Sequence, residues 1–280
     1  YCIYAGEEMN KQWFTFPNID PVAINLGLLE IRWYALAYLA GIIIAMILMN
    51  REARKSETSF SVDDIARLTN NCVLGIIVGG RLGFVLFYNA DYYLSAPLEI
   101  LKVWNGGMSF HGGFLGVVTA TILTVKKTKI PFFTIGDLLA CVTPIGLFFG
   151  RIANFINGEL FGRITTHPIG MTFPNGGPLP RHPSQLYEAF LEGFCLFVIL
   201  NLLRFLKPNL PTGFLSGLFC VLYGTGRILA EFTREPDAHI GFISALGEIQ
   251  ITTGQALSAP ILVLGLILTY LSLKHKFDCK

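Results

Sequence analysis

The sequence predicts an all-α polytopic membrane protein, and three observations support that fold class. Of its 280 residues, 52% are hydrophobic and only 14% are charged, whereas soluble domains contain about 25% charged residues. The apolar residues fall into long runs, each about long enough to cross a bilayer core of roughly 30 Å as a helix. Membrane barrel strands would instead be segments of about 10 residues with alternating polarity, and the apolar runs do not alternate.

Seven runs are predicted to span the membrane within one integral membrane domain, residues 1–280. They are 31–50, 70–90, 107–125, 134–152, 187–205, 212–232 and 249–273. Some contain glycine, proline or a single charge, which membrane helices tolerate where neighbouring helices cover the break. The longest interruption, 153–186, is rich in glycine and proline, and loops of this length are usually functional or mobile.

The distribution of basic residues predicts the orientation, because lysine and arginine concentrate in cytoplasmic loops. One predicted side of the membrane carries Arg51, Arg54, Lys55, Arg67, Lys126, Lys127, Lys129, Arg204, Lys207, Lys274, Lys276 and Lys280. The other carries only Lys11, Lys102, Arg163, Arg181 and Arg234. This bias puts the N-terminus outside and the C-terminus in the cytoplasm.

Composition and motifs exclude several classes of function. A net charge of +2 is too small to indicate a nucleic-acid partner. The sequence has no CxxC pair, no GxSxG nucleophile elbow, and no complete dinucleotide or Walker motif. Single cysteines lie in the apolar runs at Cys72, Cys141, Cys195 and Cys220, where cysteine usually acts as a small hydrophobic residue. We therefore expect no metal and no cofactor.

Polar and ionisable residues gather at the outer ends of the predicted spans. They are Tyr34, His111, Arg151, Tyr187, Glu188, Arg227 and Glu231. An ionisable residue inside a span costs about 2.5–3.5 kcal/mol on insertion scales. Their collection at one depth therefore predicts a polar cavity that opens to the outer leaflet.

Two of these residues have a structural alternative on one helix. Arg227 and Glu231 are spaced i, i+4, and such pairs often only neutralise each other. Tyr223 and Arg234 extend the same polar stripe, one turn before and about one turn after the pair, and a stripe of this length on a membrane helix favours a site. Glu188 and Glu192 are also spaced i, i+4, but the sequence assigns them no chemistry.

The remaining polar residues have two interpretations each. His111, in GGMSFHGGFLG, is either a packing residue or a functional imidazole, and its glycines let a helix or a ligand come close. Tyr34 is either a site residue or an aromatic residue of the membrane interface. Arg81, midway along its span, is either a member of a structural ion pair or a cavity residue.

The stretch RIANFINGELFGR, residues 151–163, indicates a phosphate site. Arginine stays charged, and its planar guanidinium matches a phosphate bidentately. Arg151 and Arg163 would lie at the outer membrane boundary with Asn154 and Glu159 nearby, at the depth of lipid phosphates. The chemistry alone predicts an enzyme or binder of outer-leaflet phospholipid.

Longer motifs extend that interpretation. RIANFINGELFGR resembles the signature of the bacterial prolipoprotein diacylglyceryl transferases. RWYALAYL (32–39), GGMSFHGG (106–113), HPSQLYE (182–188) and YGTGRILAEFTREPD (223–237) are similar to further segments of that family, in the same order. The resemblance covers essentially the whole chain. One departure is Ala35, where the family pattern leads us to expect glycine.

The resemblance implies an activity. Enzymes of this family move the sn-1,2-diacylglyceryl group of phosphatidylglycerol to the lipobox cysteine of a preprolipoprotein, forming a thioether and releasing glycerol-1-phosphate. It implies a multi-pass protein of the bacterial plasma (inner) membrane whose site opens to the outer leaflet. It also marks the site residues: His111, Arg227, Glu231, Tyr223 and Tyr34 for catalysis, and Arg151, Asn154, Glu159 and Gly162 for phosphatidylglycerol.

Physical chemistry suggests roles for these residues. A thiolate is the nucleophile, so either His111 takes the thiol proton or the field of the arginines stabilises the thiolate without a base. Arg151 and Arg227 would hold the leaving phosphate. Glu231 would orient Arg227, or Glu159 would orient Arg151.

Two other classes of protein compete with this interpretation. An anion or lipid transporter would also place arginines in the membrane, but it predicts internal repeats and basic residues on both sides of the midplane, and neither is evident in the sequence. A purely structural membrane scaffold would need no polar cavity.

Overall fold

The computed structural model describes residues 14–17, 19–27, 30–55, 59–235, 242–246 and 249–274. Helices dominate it: α1 (Trp33–Ala53), α2 (Val62–Tyr88), α3 (Ala90–Ser95), α4 (Phe110–Thr128), α5 (Phe132–Ile156), α6 (Ser184–Glu188), α7 (Leu196–Leu206), α8 (Phe214–Glu231) and α9 (Thr253–Leu273). A π-helical segment, Ala189–Cys195, joins α6 to α7. Residues 184–206 therefore form one continuous helix.

Six of these helices are long and apolar enough to cross a membrane: α1, α2, α5, the continuous helix Ser184–Leu206, α8 and α9. Large apolar side chains on them are exposed, as lipid-facing residues are; Phe87 and Phe205 are 80 and 82% exposed. The predicted polytopic membrane protein is thus confirmed in outline. The predicted span 107–125 is also helical, as α4, but α4 is not among the six.

Helix boundaries differ from the predicted spans where polar residues start a helix. The predicted span 70–90 begins earlier, at Val62, because Ser61 and Asp64 form a reciprocal capping box. The predicted span 249–273 begins later: residues Ile249–Thr252 are a strand, and the Thr252–Gln255 capping box then starts α9. Hydropathy alone detects neither boundary, since both depend on side-chain hydrogen bonds.

Short strands modify the all-α prediction. β1 (Phe14–Thr15) pairs in parallel with β4 (Met171–Thr172). β2 (Val22–Asn25) and β3 (Glu30–Arg32) form one antiparallel pair, and β5 (Phe242–Leu246) and β6 (Ile249–Thr252) form another. All lie in the polar connections before α1, between α5 and α6, and between α8 and α9. There they pair backbone groups that no helix satisfies.

Glycines bring α2 and α4 into close contact. Gly75, Gly79 and Gly83 recur every fourth residue on α2 and face Gly112 and Gly116 on α4. A Cβ atom at Gly116 would overlap the carbonyl carbon and oxygen of Gly75. Such small-residue stripes let membrane helices pack backbone to backbone. The glycines beside His111 therefore serve helix packing.

Arg81 has a structural role, but not in an ion pair. Its side chain donates to the backbone carbonyl groups of Glu99, Ile100 and Lys102 and of the two glycines that follow, Gly106 and Gly107. The guanidinium also lies 5.0 Å from the centre of the Tyr93 ring. Arg81 is only 3% exposed. Its hydrogen bonds hold the connection between α3 and α4 against α2.

Asp137 joins α5 to α8 at the end of the bundle away from residues 151–163. Its carboxylate accepts from the backbone N–H of Gly213 and of Ser216, each at 2.7 Å, and from the Ser216 hydroxyl at 2.7 Å. A carboxylate at a helix N-terminus satisfies unpaired N–H groups and complements the helix dipole. This contact fixes where α8 starts, and hence which residues reach the opposite end.

Candidate active site

Arg151 lies near the C-terminal end of α5 and contacts two glutamates of the continuous helix. Its Nε atom is 2.7 Å from Oε2 of Glu188. Its Nη2 atom is 3.6 Å from Oε2 of Glu192. The predicted pairing with Glu159 is therefore replaced by pairings with residues to which the sequence assigned no chemistry.

Arg227, on α8, reaches the same two glutamates from the other side. Its Nη1 atom is 2.8 Å from Oε1 of Glu188 and 3.6 Å from Oε1 of Glu192. Its Nη2 atom is 3.0 Å from Oε2 of Glu231, which is the predicted i, i+4 pair. Arg234 adds a contact of 3.2 Å from its Nη1 atom to Oε1 of Glu188.

These six residues, which we call the arginine–glutamate cluster, are Arg151, Arg227, Arg234, Glu188, Glu192 and Glu231. Its carboxylates are almost completely buried: the side chains of Glu188, Glu192 and Glu231 are 1, 0 and 5% exposed. Those of Arg151 and Arg227 are 19 and 13% exposed. The side chains of these two arginines are thus more accessible than the carboxylates they contact.

The charges of the cluster balance, with three guanidinium cations against three carboxylates. Such compensation permits burial of ionised groups, because each charge gains a partner for the hydration that it loses. Guanidinium donors that remain partly accessible can bind a further anion, and their planar geometry favours an anion with two oxygens, such as phosphate.

Asn154 and Glu159 form a separate pair next to Arg151. Asn154, one turn after Arg151 and 8% exposed, donates from Nδ2 to Oε1 of Glu159 at 2.8 Å. Asn157 donates to the same oxygen at 3.3 Å. The turn after α5 is also bound by Gln185 of α6, whose side chain donates to the Glu159 carbonyl at 2.5 Å. These bonds join the end of α5 to the start of α6.

Gly162 lies where the loop between α5 and α6 crosses the segment after α8. Its N–H donates to the His182 carbonyl at 2.8 Å, and it forms an antiparallel bridge with Arg234. A Cβ atom here would meet the Cβ of His182 at 2.8 Å. Arg163, the next residue, donates from Nε to the Arg234 carbonyl at 2.8 Å. Both residues position Arg234, so Gly162 contributes to the cluster through its backbone.

The two predicted tyrosines flank the cluster. The Tyr34 hydroxyl on α1 is 3.1 Å from that of Tyr38, and Tyr34 lies within electrostatic range of Arg151 and Glu159. Tyr223 lies one turn before Arg227 on α8 and stacks on Phe219, with ring centroids 5.8 Å apart. It is within electrostatic range of Arg151, Arg227 and Glu192.

His111 lies on a different helix pair. It is the second residue of α4, whose N-cap is Ser109, and its side chain is exposed. The Ser109 N–H donates to the Gly80 carbonyl at 2.8 Å, which attaches this helix end to α2. The ion pairs of the cluster join α5, the continuous helix and α8, so the structure does not bring His111 into that set.

His182, in the loop between α5 and α6, is a further titratable group of this region. Its Nδ1 atom is 3.2 Å from the Tyr187 hydroxyl. Burial, with a smaller contribution from the nearby His167, lowers the pKa of His182 below its usual value.

Glu188 and Glu192 belong to the cluster although the sequence assigned them no chemistry, and only Glu188 was expected in the polar cavity. A signal was present: two carboxylates one turn apart in an apolar run, in a protein with arginines in two other spans. An ionised residue within a membrane needs an opposite charge, so these glutamates were the natural partners of Arg151 and Arg227. Pairing them required knowledge of which spans are neighbours.

The fold and the cluster together define a multi-pass helical membrane protein with a buried group of three arginines and three glutamates at one end of its helices. Comparison with known proteins gives the family: residues 21–271 match the family described as prolipoprotein diacylglyceryl transferase. The chain belongs to this family, and it is accordingly a transferase of lipoprotein biosynthesis.

Individual relatives agree over nearly the full length. The chain is 49% identical over 260 residues to the phosphatidylglycerol–prolipoprotein diacylglyceryl transferase of Photobacterium profundum, covering 93% of this chain and 96% of the relative. It is 47% identical over 267 residues to the protein of the same name from Vibrio cholerae serotype O1, covering 95 and 96% of the two chains.

Proposed function

We propose that this enzyme transfers the sn-1,2-diacylglyceryl group of phosphatidylglycerol to the lipobox cysteine thiol of preprolipoproteins, the first step of lipoprotein maturation. A sulfur–carbon bond forms at the glycerol carbon that carries the phosphate, and the carbon–oxygen bond to that phosphate breaks. The products are a thioether and glycerol-1-phosphate, and the thiol proton is released.

The observation that carries this proposal is the convergence of Arg151 and Arg227 on one carboxylate, with both arginine side chains more exposed than that carboxylate. Arg151 and Arg227 share Glu188 yet remain partly exposed, which suits them to hold a phosphodiester between them. Family membership supports the identity of that phosphodiester, since the relatives' names include phosphatidylglycerol. Fixed positive charge also stabilises the phosphate as it leaves, when its charge increases.

The other site residues support this step. Glu188 and Glu231 orient the two arginines, and Asn154 with Glu159 holds the turn beside Arg151. We propose that His111 takes the thiol proton, because an imidazole accepts protons near neutral pH. Tyr34 and Tyr223 line the approach to the arginines.

The location of the reaction follows from the predicted orientation. With the N-terminus outside and seven spans, counting α4, the C-terminal ends of α5 and α8 face the outer leaflet of the bacterial plasma membrane. Lipid phosphates lie at that depth, and the signal peptide of an exported substrate arrives from the same side. We propose that residues 1–280 form one membrane domain with the site at this boundary.

A transfer assay with the purified chain in detergent tests the proposal. Phosphatidylglycerol and a lipobox peptide should yield a peptide whose mass has increased by one diacylglyceryl group, together with glycerol-1-phosphate. A peptide with serine in place of the lipobox cysteine is the control for the thiol, and phosphatidylethanolamine is the control for the headgroup. Absence of the thioether product with folded enzyme would contradict the proposal.

A further inference from the structure

Glu192 is the most deeply buried charged group of the arginine–glutamate cluster. Its side chain is 0% exposed and lies in the π-helical segment, one turn after Glu188. Both of its carboxylate oxygens are buried, and no hydrogen-bond donor among the described residues reaches either one. Their contacts to Arg151 and Arg227, at 3.6 Å each, are longer than hydrogen bonds.

Glu188 binds the same two arginines very differently. Its oxygens are 2.7 Å from Arg151 and 2.8 Å from Arg227, and it also accepts from Arg234. Protonation of Glu188 would disrupt these three contacts. Protonation of Glu192 would weaken only its two ion pairs of 3.6 Å, and it would reduce the cost of burying a carboxylate that has no hydrogen-bond partner among the described residues.

Glu231 is an intermediate case. Its Oε2 atom is buried and lies 3.0 Å from Nη2 of Arg227, a close ion pair whose angles do not make a hydrogen bond. Its carboxylate also packs on Gly254 at the start of α9, where the helix dipole favours a negative charge. Of the three carboxylates, Glu192 is therefore the one that binds a proton at the lowest free-energy cost.

A bound phosphate would disturb the charge balance of the cluster. Its three cations and three carboxylates are neutral together, so a phosphodiester held by Arg151 and Arg227 adds an uncompensated negative charge in a poorly hydrated region. Each carboxylate that stays ionised then repels the ligand, and burial strengthens this repulsion. Uptake of one proton restores neutrality.

We propose that Glu192 takes up a proton from solvent when the phosphate of phosphatidylglycerol binds to Arg151 and Arg227. The neutral carboxyl then keeps the two guanidinium groups available to the phosphate and adds an O–H donor between them. The proton returns to solvent when the product phosphate leaves. The inference rests on the proposed function only in that the ligand of the arginines is a lipid phosphate.

The groups that face Glu192 come from every helix packed around it. They are Arg151 on α5, Arg227 and Tyr223 on α8, and Glu188 on its own helix. A phosphodiester does not titrate near neutral pH, and the arginines remain charged. A proton taken up from solvent on binding is therefore accepted by Glu192. His111 is the other group that could accept it, and the experiment distinguishes the two.

Calorimetric titration of the full-length enzyme in detergent with short-chain phosphatidylglycerol tests the inference. Repeating it in buffers of different ionisation enthalpy gives the number of protons taken up. We expect close to one proton per lipid for the wild type, and hence an affinity that falls by up to tenfold for each unit of rising pH. Glu192→Gln should bind the lipid with almost no proton uptake and little pH dependence.

Two further variants make the result decisive. His111→Gln should retain the proton uptake, and Glu188→Gln should weaken lipid binding at every pH because three arginines lose the charge of a partner that they share. Wild-type enzyme that binds phosphatidylglycerol without proton uptake overturns the inference, whether or not any variant folds. So does uptake that persists in Glu192→Gln or disappears in His111→Gln. Absence of lipid binding by the wild type overturns the proposed function as well.

Discussion

The carboxylate of Glu188 lies 2.7 Å from Nε of Arg151, and this contact joins the end of α5 to the start of the continuous helix Ser184–Leu206. The same carboxylate lies 2.8 Å from Arg227 on α8. One buried side chain thus sets the separation of the two arginines that we propose as phosphate ligands.

We therefore expect replacement of Glu188 to lower both the stability and the transferase activity of the enzyme strongly. Breaking a buried ion pair by removing one partner costs about 3–5 kcal/mol, and Glu188→Ala leaves three arginines with one partner fewer. We expect a lower melting temperature and at least a hundredfold loss of transferase activity. Thermal unfolding and the transfer assay, both on detergent-purified protein, measure the two effects.

Glu99→Ala is the matched control, since it also removes a glutamate that pairs with a cation. Glu99 contacts Lys102 at 2.5 Å, but their side chains are 25 and 43% exposed. Such exposed pairs contribute about 0–1 kcal/mol, so stability and activity should stay close to wild type. Equal effects of the two substitutions would show that Glu188 has no special role.

Arg151→Lys should lose function although it keeps the charge. A lysine offers no planar pair of donors, so it cannot hold Glu188 and a phosphate together. Loss of one charged hydrogen bond costs about 1.5–3 kcal/mol, which corresponds to roughly ten- to hundredfold weaker binding of phosphatidylglycerol. Both lipid affinity and turnover should fall, because the phosphate is bound before and during transfer.

Arg163→Lys provides the comparison within the same sequence motif. Arg163 donates from Nε to the backbone carbonyl of Arg234, a contact that a lysine can partly replace. Its lipid affinity should therefore fall much less than that of Arg151→Lys. Unchanged phosphatidylglycerol affinity in folded Arg151→Lys and Arg151→Ala would return Arg151 to a structural role.

Much of the fold could be predicted because hydropathy reports directly on membrane burial. The helices lie where the apolar runs are, and they differ at polar ends such as Ser61–Asp64, where hydrogen bonds decide the boundary. The pairing of helices was not accessible in the same way. A stripe such as Gly75, Gly79 and Gly83 indicates a close helix contact, but only the structure identifies α4 as the partner.

The sequence identified the arginines of the candidate site, but it did not identify the glutamates that they contact. Arg151 and Arg227 were conspicuous as cations in apolar surroundings, and the structure brings them to one carboxylate. Glu188 and Glu192 lie on another helix, 37 and 41 residues after Arg151 in the sequence, so local spacing says nothing of the contact. Arg81 is also a cation in apolar surroundings, but its partners are backbone carbonyl groups and no carboxylate among the described residues.

Gly254→Ala should disturb the cluster from α9. A Cβ atom at Gly254 would lie 2.6 Å from both carboxylate oxygens of Glu231, so the carboxylate must move away from the helix N-terminus. Interactions of this type are worth about 0.3–2 kcal/mol, and we expect a several-fold loss of transferase activity. Gly146→Ala is the control, since within the described residues a Cβ there meets no atom within 4 Å; equal activities of the two variants would contradict the prediction.

His111→Gln should lower turnover while leaving lipid affinity intact. General base catalysis contributes about 10²–10⁴-fold, and His111 lies outside the ion pairs that we propose to hold phosphate. Single-turnover transfer and phosphatidylglycerol titration separate the two effects. His167→Gln, at an exposed position of the loop between α5 and α6, should retain wild-type turnover. Near-normal turnover of His111→Gln would show that the arginines activate the thiol without this base.

The Arg227–Glu231 pair should not behave as an isolated structural pair. If it did, Arg227→Ala with Glu231→Ala would harm the enzyme less than Arg227→Ala alone, because no unpaired buried charge would remain. In the structure, however, Arg227 also contacts Glu188 at 2.8 Å, so the double variant still leaves Glu188 without one of its cations.

We therefore expect the double variant to be no more active than Arg227→Ala, and both to bind phosphatidylglycerol at least tenfold more weakly than wild type. A double-mutant cycle of stability and of activity separates the two roles, because the variants are compared after their folding is verified. A folded double variant that recovers activity relative to Arg227→Ala would assign the pair to structure alone. Persistent loss of lipid affinity in a double variant of recovered stability would assign Arg227 to the phosphate.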